Sequence, residues 1–177
     1  ASIGVSRLGL VFPSRAGLGC GLDPGLRATA AFARFGCGFV EAGPITLAPR
    51  NGGILGCDGG CLQVADPPEG IGLDAAVARL SDAFTGAVPL LARLDLTDQE
   101  SARAAAASGA VAIARLAPHV AGFTIAGGRA AWSADEWRET VAALTAAARA
   151  AGRPALFVVP ADASAVDRDR RVAAGAD

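Results

Sequence analysis

The sequence contains no lysine, no methionine and no tyrosine, and it has a single asparagine, Asn51, and a single histidine, His119. All 16 positively charged side chains are therefore arginines. Without lysine, the chain offers no side-chain amine for Schiff-base or phosphate chemistry. A Ser-His-Asp triad could use only His119, which lies beside Pro118 at a predicted helix end, away from the loops where a site is expected.

An excess of charge and a long apolar run are also missing. The 177 residues carry a formal net charge of −1, and 52% of them are hydrophobic. This composition argues against disorder and against electrostatic binding of nucleic acid. No apolar run reaches the roughly 20 residues of a membrane span, and no signal segment is visible. We therefore expect a cytoplasmic domain with a sizeable core, and neither a nucleic-acid nor a membrane partner.

The four cysteines fall into two pairs. Cys20 and Cys37 lie in apolar, strand-like runs, where a free thiol behaves as a small hydrophobic side chain. Cys57 and Cys61 flank a glycine-rich turn and could form a disulfide or half of a zinc site. A closed zinc site needs four ligands, however, and no second pair lies near in the sequence. We expect no metal site.

Short apolar runs alternate with helical patterns along the chain. Residues 2–12 predict a strand or hairpin, and five further strands are predicted at residues 16–22, 38–46, 88–94, 121–126 and 155–159. Helices are predicted at residues 24–35, 73–84 and 164–172 and after two capping boxes, residues 97–100 and 133–136. This alternation predicts a parallel sheet covered by helices.

Two further local patterns have a structural interpretation. Trp132 and Trp137 stand at the staple positions of the second capping box, so packing explains them better than a ligand does. The Gly- and Pro-rich residues 47–70 predict an inserted loop at the carboxyl-end face of the sheet. Within it, residues 54–55 and 61–64 are predicted to pair as a short hairpin.

The glycine-rich stretch after residue 16 allows an interpretation as a dinucleotide-binding loop. Gly19 and Gly21 match the first two glycines of that fingerprint, and Glu41 matches its acidic residue. Pro24 stands where the third glycine is needed for close packing of helix and strand. An NAD-binding Rossmann-like domain therefore remains one alternative.

A longer resemblance runs in order from about residue 8 to the end of the chain. Residues 8–12, 16–23, 35–50, 71–80, 113–125 and 154–164 resemble successive segments of the dihydroorotate dehydrogenases, which are FMN-dependent TIM barrels. The resemblance implies an α/β fold, a partial TIM barrel with the first five of its eight β/α units. We expect residues 1–177 to form one domain, with residues 47–70 as its inserted loop or hairpin.

The resemblance also implies where a site would lie. In that family FMN lies over the carboxyl ends of the strands, Lys and Asn side chains hold flavin and pyrimidine, and a Ser or Cys is the base. Carried over, the Lys, Asn and Ser positions fall on Pro24, Asp74, Ala75, Arg93, Ala126, Gly128, Arg129 and Val158. Only backbone and small-residue remnants of a cofactor site persist: Cys20, Gly21, Gly43 and Thr46.

We therefore predict a degenerate dihydroorotate-dehydrogenase-like domain that lacks the family's catalytic residues and acts as a structural or binding module. We expect no cofactor; an FMN-dependent oxidoreductase is the alternative. Glu41, Asp74 and Arg93 are candidates for contact with an unknown small-molecule ligand. If Arg93 faces the barrel interior, it needs an acidic partner, either Asp74 or Glu41. A partner of Glu41 could be Arg50 or Arg93.

Five strands cannot close a barrel that normally needs eight. Candidates for the inward apolar face of the sheet are Leu18, Val40, Leu91 or Ala92, Ile125 and Phe157 or Val158. Such a face and the open strand edges require a cover. We expect a homo-oligomer or the remainder of a larger protein to supply it.

Overall fold

The computed structural model describes residues 4–52, 54–58, 60–64, 69–81, 88–127 and 132–158. Its strands are β1 (Val5–Arg7), β2 (Leu10–Phe12), β3 (Val40–Ile45), β4 (Ile54–Asp58), β5 (Cys61–Val64), β6 (Leu90–Asp95), β7 (Gly122–Ala126) and β8 (Ala155–Phe157). Its α-helices are α1 (Thr29–Phe32), α2 (Leu73–Ser81), α3 (Ala102–Leu116) and α4 (Ala134–Ala150).

The central sheet has four parallel strands in the order β3-β6-β7-β8. Spatial order therefore follows chain order, with helices in the connections. Such sequential order is typical of a barrel, whereas a doubly wound dinucleotide-binding sheet reverses its strand order at the ligand crevice. The predicted α/β partial barrel is confirmed, and the Rossmann-like alternative is wrong for these strands.

The predicted strand at residues 16–22 is reduced to a single parallel bridge between Leu18 and Val40. The Leu18 N–H donates to the Phe39 carbonyl at 3.0 Å, and the Glu41 N–H donates to the Leu18 carbonyl at 2.8 Å. The chain then forms a short 3-10 turn at Cys20–Leu22. Alternate glycines leave this segment with few side chains to pack, which weakens a strand.

The first predicted helix, residues 24–35, is also shorter than expected and covers only α1. Before it, the Asp23 carboxylate accepts hydrogen bonds from the N–H groups of Arg27 and Ala28, both at 2.8 Å, and from the Thr29 hydroxyl at 2.9 Å. The aspartate thus holds residues 23–28 in a turn, and regular helix begins only at Thr29.

The capping box before α4 is confirmed. Ser133 Oγ accepts from the Glu136 N–H at 3.2 Å, and Glu136 Oε2 accepts from the Ser133 N–H at 2.8 Å. The rings of Trp132 and Trp137 pack together with centroids 6.1 Å apart. Both tryptophans therefore have the packing role that the sequence predicts.

The capping box predicted at residues 97–100 is wrong. Helix α3 begins at Ala102, and Ser101 caps it by accepting from the Ala104 N–H at 3.2 Å. The Thr97 hydroxyl instead donates to Asp95 Oδ1 at 2.6 Å. Asp95 is a charged carboxylate at the end of β6, and it accepts a stronger hydrogen bond from Thr97 than a neutral group would.

The two faces of the sheet differ in chemistry. One face packs against the helices in an apolar core, which includes Val40, Ala92, Phe123 and Ile125 from the strands and Leu80, Ile113, Leu116 and Leu144 from the helices. The expectation that Leu18, Val40 and Ile125 face inward is therefore wrong, and so is the choice of Phe157 on β8. Of the two candidates on β6, Leu91 lies on the inner face and Ala92 on the helix side. Because strand side chains alternate, the opposite, inner face presents Glu41, Arg93 and Thr124.

The predicted hairpin in the inserted segment is confirmed. Strands β4 and β5 are antiparallel, with Cys57 opposite Leu62 and Asp58 opposite Cys61. The β1–β2 hairpin is confirmed as well. Three predictions fall at least partly outside the described residues. They are the helix at residues 164–172, the end of the helix predicted to reach residue 84, and the last residue of the predicted fifth strand. None of the helices within the described ranges is long and apolar enough to cross a membrane.

Candidate functional site

A cluster of polar groups lies on the inner face of the sheet. It comprises Glu41 on β3, Arg93 on β6, Thr124 on β7 and the Cys20 turn, and we call it the inner cluster. Arg93 is directly opposite Thr124 in the register, and Glu41 is opposite Leu91, two residues before Arg93. Three neighbouring strands therefore place their polar side chains on one face.

The Glu41 carboxylate is the common acceptor of the inner cluster. Its Oε1 accepts a short hydrogen bond from the Thr124 hydroxyl, and its Oε2 accepts from the Cys20 N–H at 3.2 Å. Arg93 Nη1 lies 3.6 Å from Glu41 Oε1, and the two side chains are 22% and 12% exposed. The predicted pairing of Arg93 with Glu41 is confirmed. At this separation it is an ion pair without a hydrogen bond.

The Cys20 thiol of the inner cluster has a raised pKa. Burial raises the pKa of Cys20, and the negative charge of Glu41 raises it further, to about 11, although Arg93 acts in the opposite direction. A thiolate is the reactive form of cysteine. Cys20 is therefore poorly suited to serve as a nucleophile or base.

A second ion pair lies at the carboxyl end of β6. Arg50 Nη2 is 2.5 Å from Asp95 Oδ2, and both side chains are largely buried. Asp95 Oδ1 also accepts from the Thr97 N–H at 3.0 Å and from the Thr97 hydroxyl. Burial acts to raise the pKa of Asp95, but the hydrogen bonds from Thr97 and Arg50 outweigh it and hold that pKa below its ordinary value.

The Arg50–Asp95 pair fixes the inserted segment to the sheet. The backbones of Arg50 and Gly70 form two hydrogen bonds, at 2.8 and 2.9 Å, which join the two ends of that segment. The Arg50 side chain then connects this junction to β6.

Two residues of these clusters, Asp95 and Thr124, were not predicted from the sequence. The signal that could have identified them is a polar residue inside or at the end of an otherwise apolar strand.

The other predicted site residues lie apart from the inner cluster or have structural contacts. Gly43 has φ +129°, and a Cβ there would lie 2.8 Å from the Arg93 carbonyl oxygen, so close strand packing requires the glycine. The Thr46 hydroxyl is buried and donates to the Ala48 carbonyl at 2.6 Å. Gly21 lies in the exposed turn at Cys20–Leu22. Asp74 is on α2 and pairs with Arg115 of α3 at 2.7 Å.

These residues do not fit the FMN group that the resemblance implies. The Cys20 N–H and the Thr46 hydroxyl, which could serve as donors, are already bonded within the protein. Lysine is absent from the sequence, and the single asparagine lies in the inserted segment. Among the described ranges, no three His, Cys, Asp or Glu side chains group closely enough to hold a metal ion.

Comparison with known proteins gives a partial sequence similarity. No family model matches the chain. Over 52 residues, 29% of the chain, it is 46% identical to the dihydroorotate dehydrogenase (quinone) of Pseudomonas fluorescens (strain Pf0-1), and the match covers 15% of that protein. Over 45 residues, 25% of the chain, it is 49% identical to that of Dichelobacter nodosus (strain VCS1703A), and the match covers 13% of that protein.

The structural similarity extends over more of the chain. A crystal structure of dihydroorotate dehydrogenase from Eimeria tenella in complex with ferulenol matches with a TM-score of 0.55 and 15% sequence identity, covering 94% of this chain and 62% of that chain. The chain thus has a partial dihydroorotate-dehydrogenase-like fold, and its sequence similarity is concentrated in about a quarter of its length. The predicted resemblance is confirmed.

The inner cluster makes a testable prediction about the Cys20 thiol. Glu41→Gln removes a negative charge and should lower the pKa of Cys20 from about 11, whereas Arg93→Gln removes a positive charge and should raise it. The ultraviolet absorbance of the thiolate during a pH titration measures this, with the other three cysteines replaced by serine. Arg115→Gln is the control, and equal effects of all three substitutions would contradict the geometry.

The Arg50–Asp95 pair makes a prediction about stability. Asp95→Asn should destabilise the fold by about 3 kcal/mol because it removes the negative charge that faces a largely buried guanidinium. Since the folded-state pKa of Asp95 is lowered, its contribution is present above about pH 4, the unfolded value, and is lost as pH falls through the folded pKa. Chemical denaturation measured from neutral to acidic pH should show this loss of stability for the native chain. The stability of Asp95→Asn should depend less on pH. The exposed Asp98→Asn variant is the control; an equal effect there would refute this assignment.

Proposed function

We propose that this chain acts as a binding or structural module built on a degenerate dihydroorotate-dehydrogenase-like fold, and that it does not catalyse flavin-dependent oxidation. The observation that carries this proposal is the inner cluster. At the position where the resemblance implies a ligand-holding asparagine, the chain has Arg93, and this arginine is paired with Glu41.

The chemistry of the inner cluster argues against flavin catalysis and for a structural or binding role. A flavin enzyme needs preorganised donors aimed at the charge that develops on its substrate and cofactor. Here the Thr124 hydroxyl and the Cys20 N–H donate to a protein carboxylate. The polar groups of this face are therefore organised around Glu41.

A flavin-dependent oxidoreductase is the second candidate, and one observation favours it. The chain is 46% identical to a dihydroorotate dehydrogenase (quinone) over 52 residues. Fold similarity alone does not assign a reaction, since activity depends on the side chains at the strand ends. The absence of lysine favours the binding role.

The edge of the sheet supports a role within a larger assembly. Among the described strands, β8 has β7 as its neighbour on one side, and Leu156, on the inner-face side of β8, is 39% exposed. An unpaired strand edge favours pairing with a further strand. We propose that such a strand comes from a larger protein or from a second copy of the chain.

The first test measures flavin binding. Purified protein should be colourless, and titration with FMN should give no saturable quenching of flavin fluorescence. Dihydroorotate should cause no bleaching of added FMN under anaerobic conditions. A flavin-loaded dihydroorotate dehydrogenase serves as the positive control. Stoichiometric FMN retained through gel filtration, and bleached by dihydroorotate, would refute the binding-module proposal.

The second test measures association. Sedimentation velocity over a wide range of protein concentrations should show oligomers of the 177-residue chain, because parallel strands with an open edge pair readily. A monomer at every concentration, with a single cooperative thermal transition, would contradict the proposed assembly and would leave the flavin result unaffected.

A further inference from the structure

The single asparagine of the sequence lies at the junction of the inserted segment. Asn51 directly follows Arg50, and Gly52 directly follows Asn51. Both Asn51 and Gly52 are exposed, and neither belongs to a helix or a strand. The junction therefore presents an Asn-Gly pair to solvent.

The backbone is fixed on both sides of this pair. The Arg50 N–H donates to the Gly70 carbonyl at 2.8 Å, and the Arg50 carbonyl accepts from the Gly70 N–H at 2.9 Å. Regular structure begins again at β4. The backbone hydrogen bonds within the described ranges do not include the Gly52 N–H. The nitrogen of Gly52 is therefore accessible to the side chain that precedes it.

We propose that Asn51 is a site of spontaneous deamidation. An asparagine side chain readily reaches the backbone of its neighbours, and glycine has no Cβ to hinder the approach. The Gly52 nitrogen loses its proton and attacks Asn51 Cγ. A new C–N bond closes a cyclic succinimide, while the Cγ–Nδ2 bond breaks and ammonia leaves with the proton. Water then opens the ring at either carbonyl, which gives aspartate or isoaspartate at residue 51.

The two products differ in their effect on the junction. Aspartate adds a negative charge at an exposed position and leaves the backbone unchanged. Isoaspartate carries the chain through its side-chain carbon and so lengthens the backbone by one atom directly after Arg50. Arg50 is held by Gly70 and by Asp95, so the extra atom has to fit between this fixed residue and β4. Isoaspartate should therefore weaken the attachment of the inserted segment, and aspartate should not.

Incubation of the folded 177-residue chain at neutral and at mildly alkaline pH, followed by peptide mass mapping, tests the site. The peptide with Asn51 should gain about 1 Da, because an amide becomes a carboxylic acid, and the gain should be faster at the higher pH. Gly52→Ala should slow it at least about tenfold because a Cβ hinders the attack. Asn51→Gln should show no gain over the same time. The peptide with Gln99, whose side-chain amide donates to Asp98 at 2.8 Å, is the internal control and should keep its mass.

The circular dichroism spectrum of each variant is recorded to confirm folding. Equal rates in Gly52→Ala and the native chain would overturn the proposal. So would a folded native chain that keeps its mass while the urea-unfolded chain gains it.

The effect on the junction is measured with the deamidated chain isolated by anion-exchange chromatography. Its midpoint of thermal unfolding should lie below that of Asn51→Asp, which carries the same charge on an ordinary backbone. Equal midpoints would overturn the proposed effect of isoaspartate on the junction.

Discussion

The inner face of this sheet depends on the interactions of one group, the Glu41 carboxylate. It lies in β3 with only 12% of its side chain exposed, and removing such a charge from water is costly unless hydrogen bonds and a counter-charge compensate. Thr124 on β7, the backbone of Cys20 and the guanidinium of Arg93 on β6 provide that compensation. One acidic side chain thus links three parts of the chain.

This link explains how the glycine-rich stretch remains attached to the sheet. Only one bridge, between Leu18 and Val40, pairs it with β3. The contact between the Cys20 N–H and the Glu41 side chain adds a further attachment two residues later in the chain. Burial of the Cys20 thiol raises its pKa, and the negative charge of the same Glu41 raises it further. The electrostatics that secure this turn therefore also suppress the reactivity of its cysteine.

The fold and the chemistry of the site give different kinds of information. The sequential parallel sheet and its helices match a dihydroorotate dehydrogenase structure over most of the chain, whereas the inner face carries an acid–arginine pair. A barrel scaffold can support many functions because its strand-end residues can change without changing the packing of its helices. The apolar face of the sheet preserves the architecture, and the inner face accounts for the proposed difference in function.

The sequence by itself determined the alternation of strands and helices, the hairpin of β4 and β5, and the capped start of α4 at Ser133, because these features depend on local periodicity and on contacts between near neighbours. It also predicted that Arg93 needs an acidic partner. Only the tertiary structure decided that this partner is Glu41, that Arg50 pairs with Asp95, and that Val40 and Ile125 pack against the helices. Alternation assigns residues to two faces of a strand but does not say which face the helices cover. That choice, like the competition of Asp95 for Thr97, depends on groups that meet only when distant segments pack together.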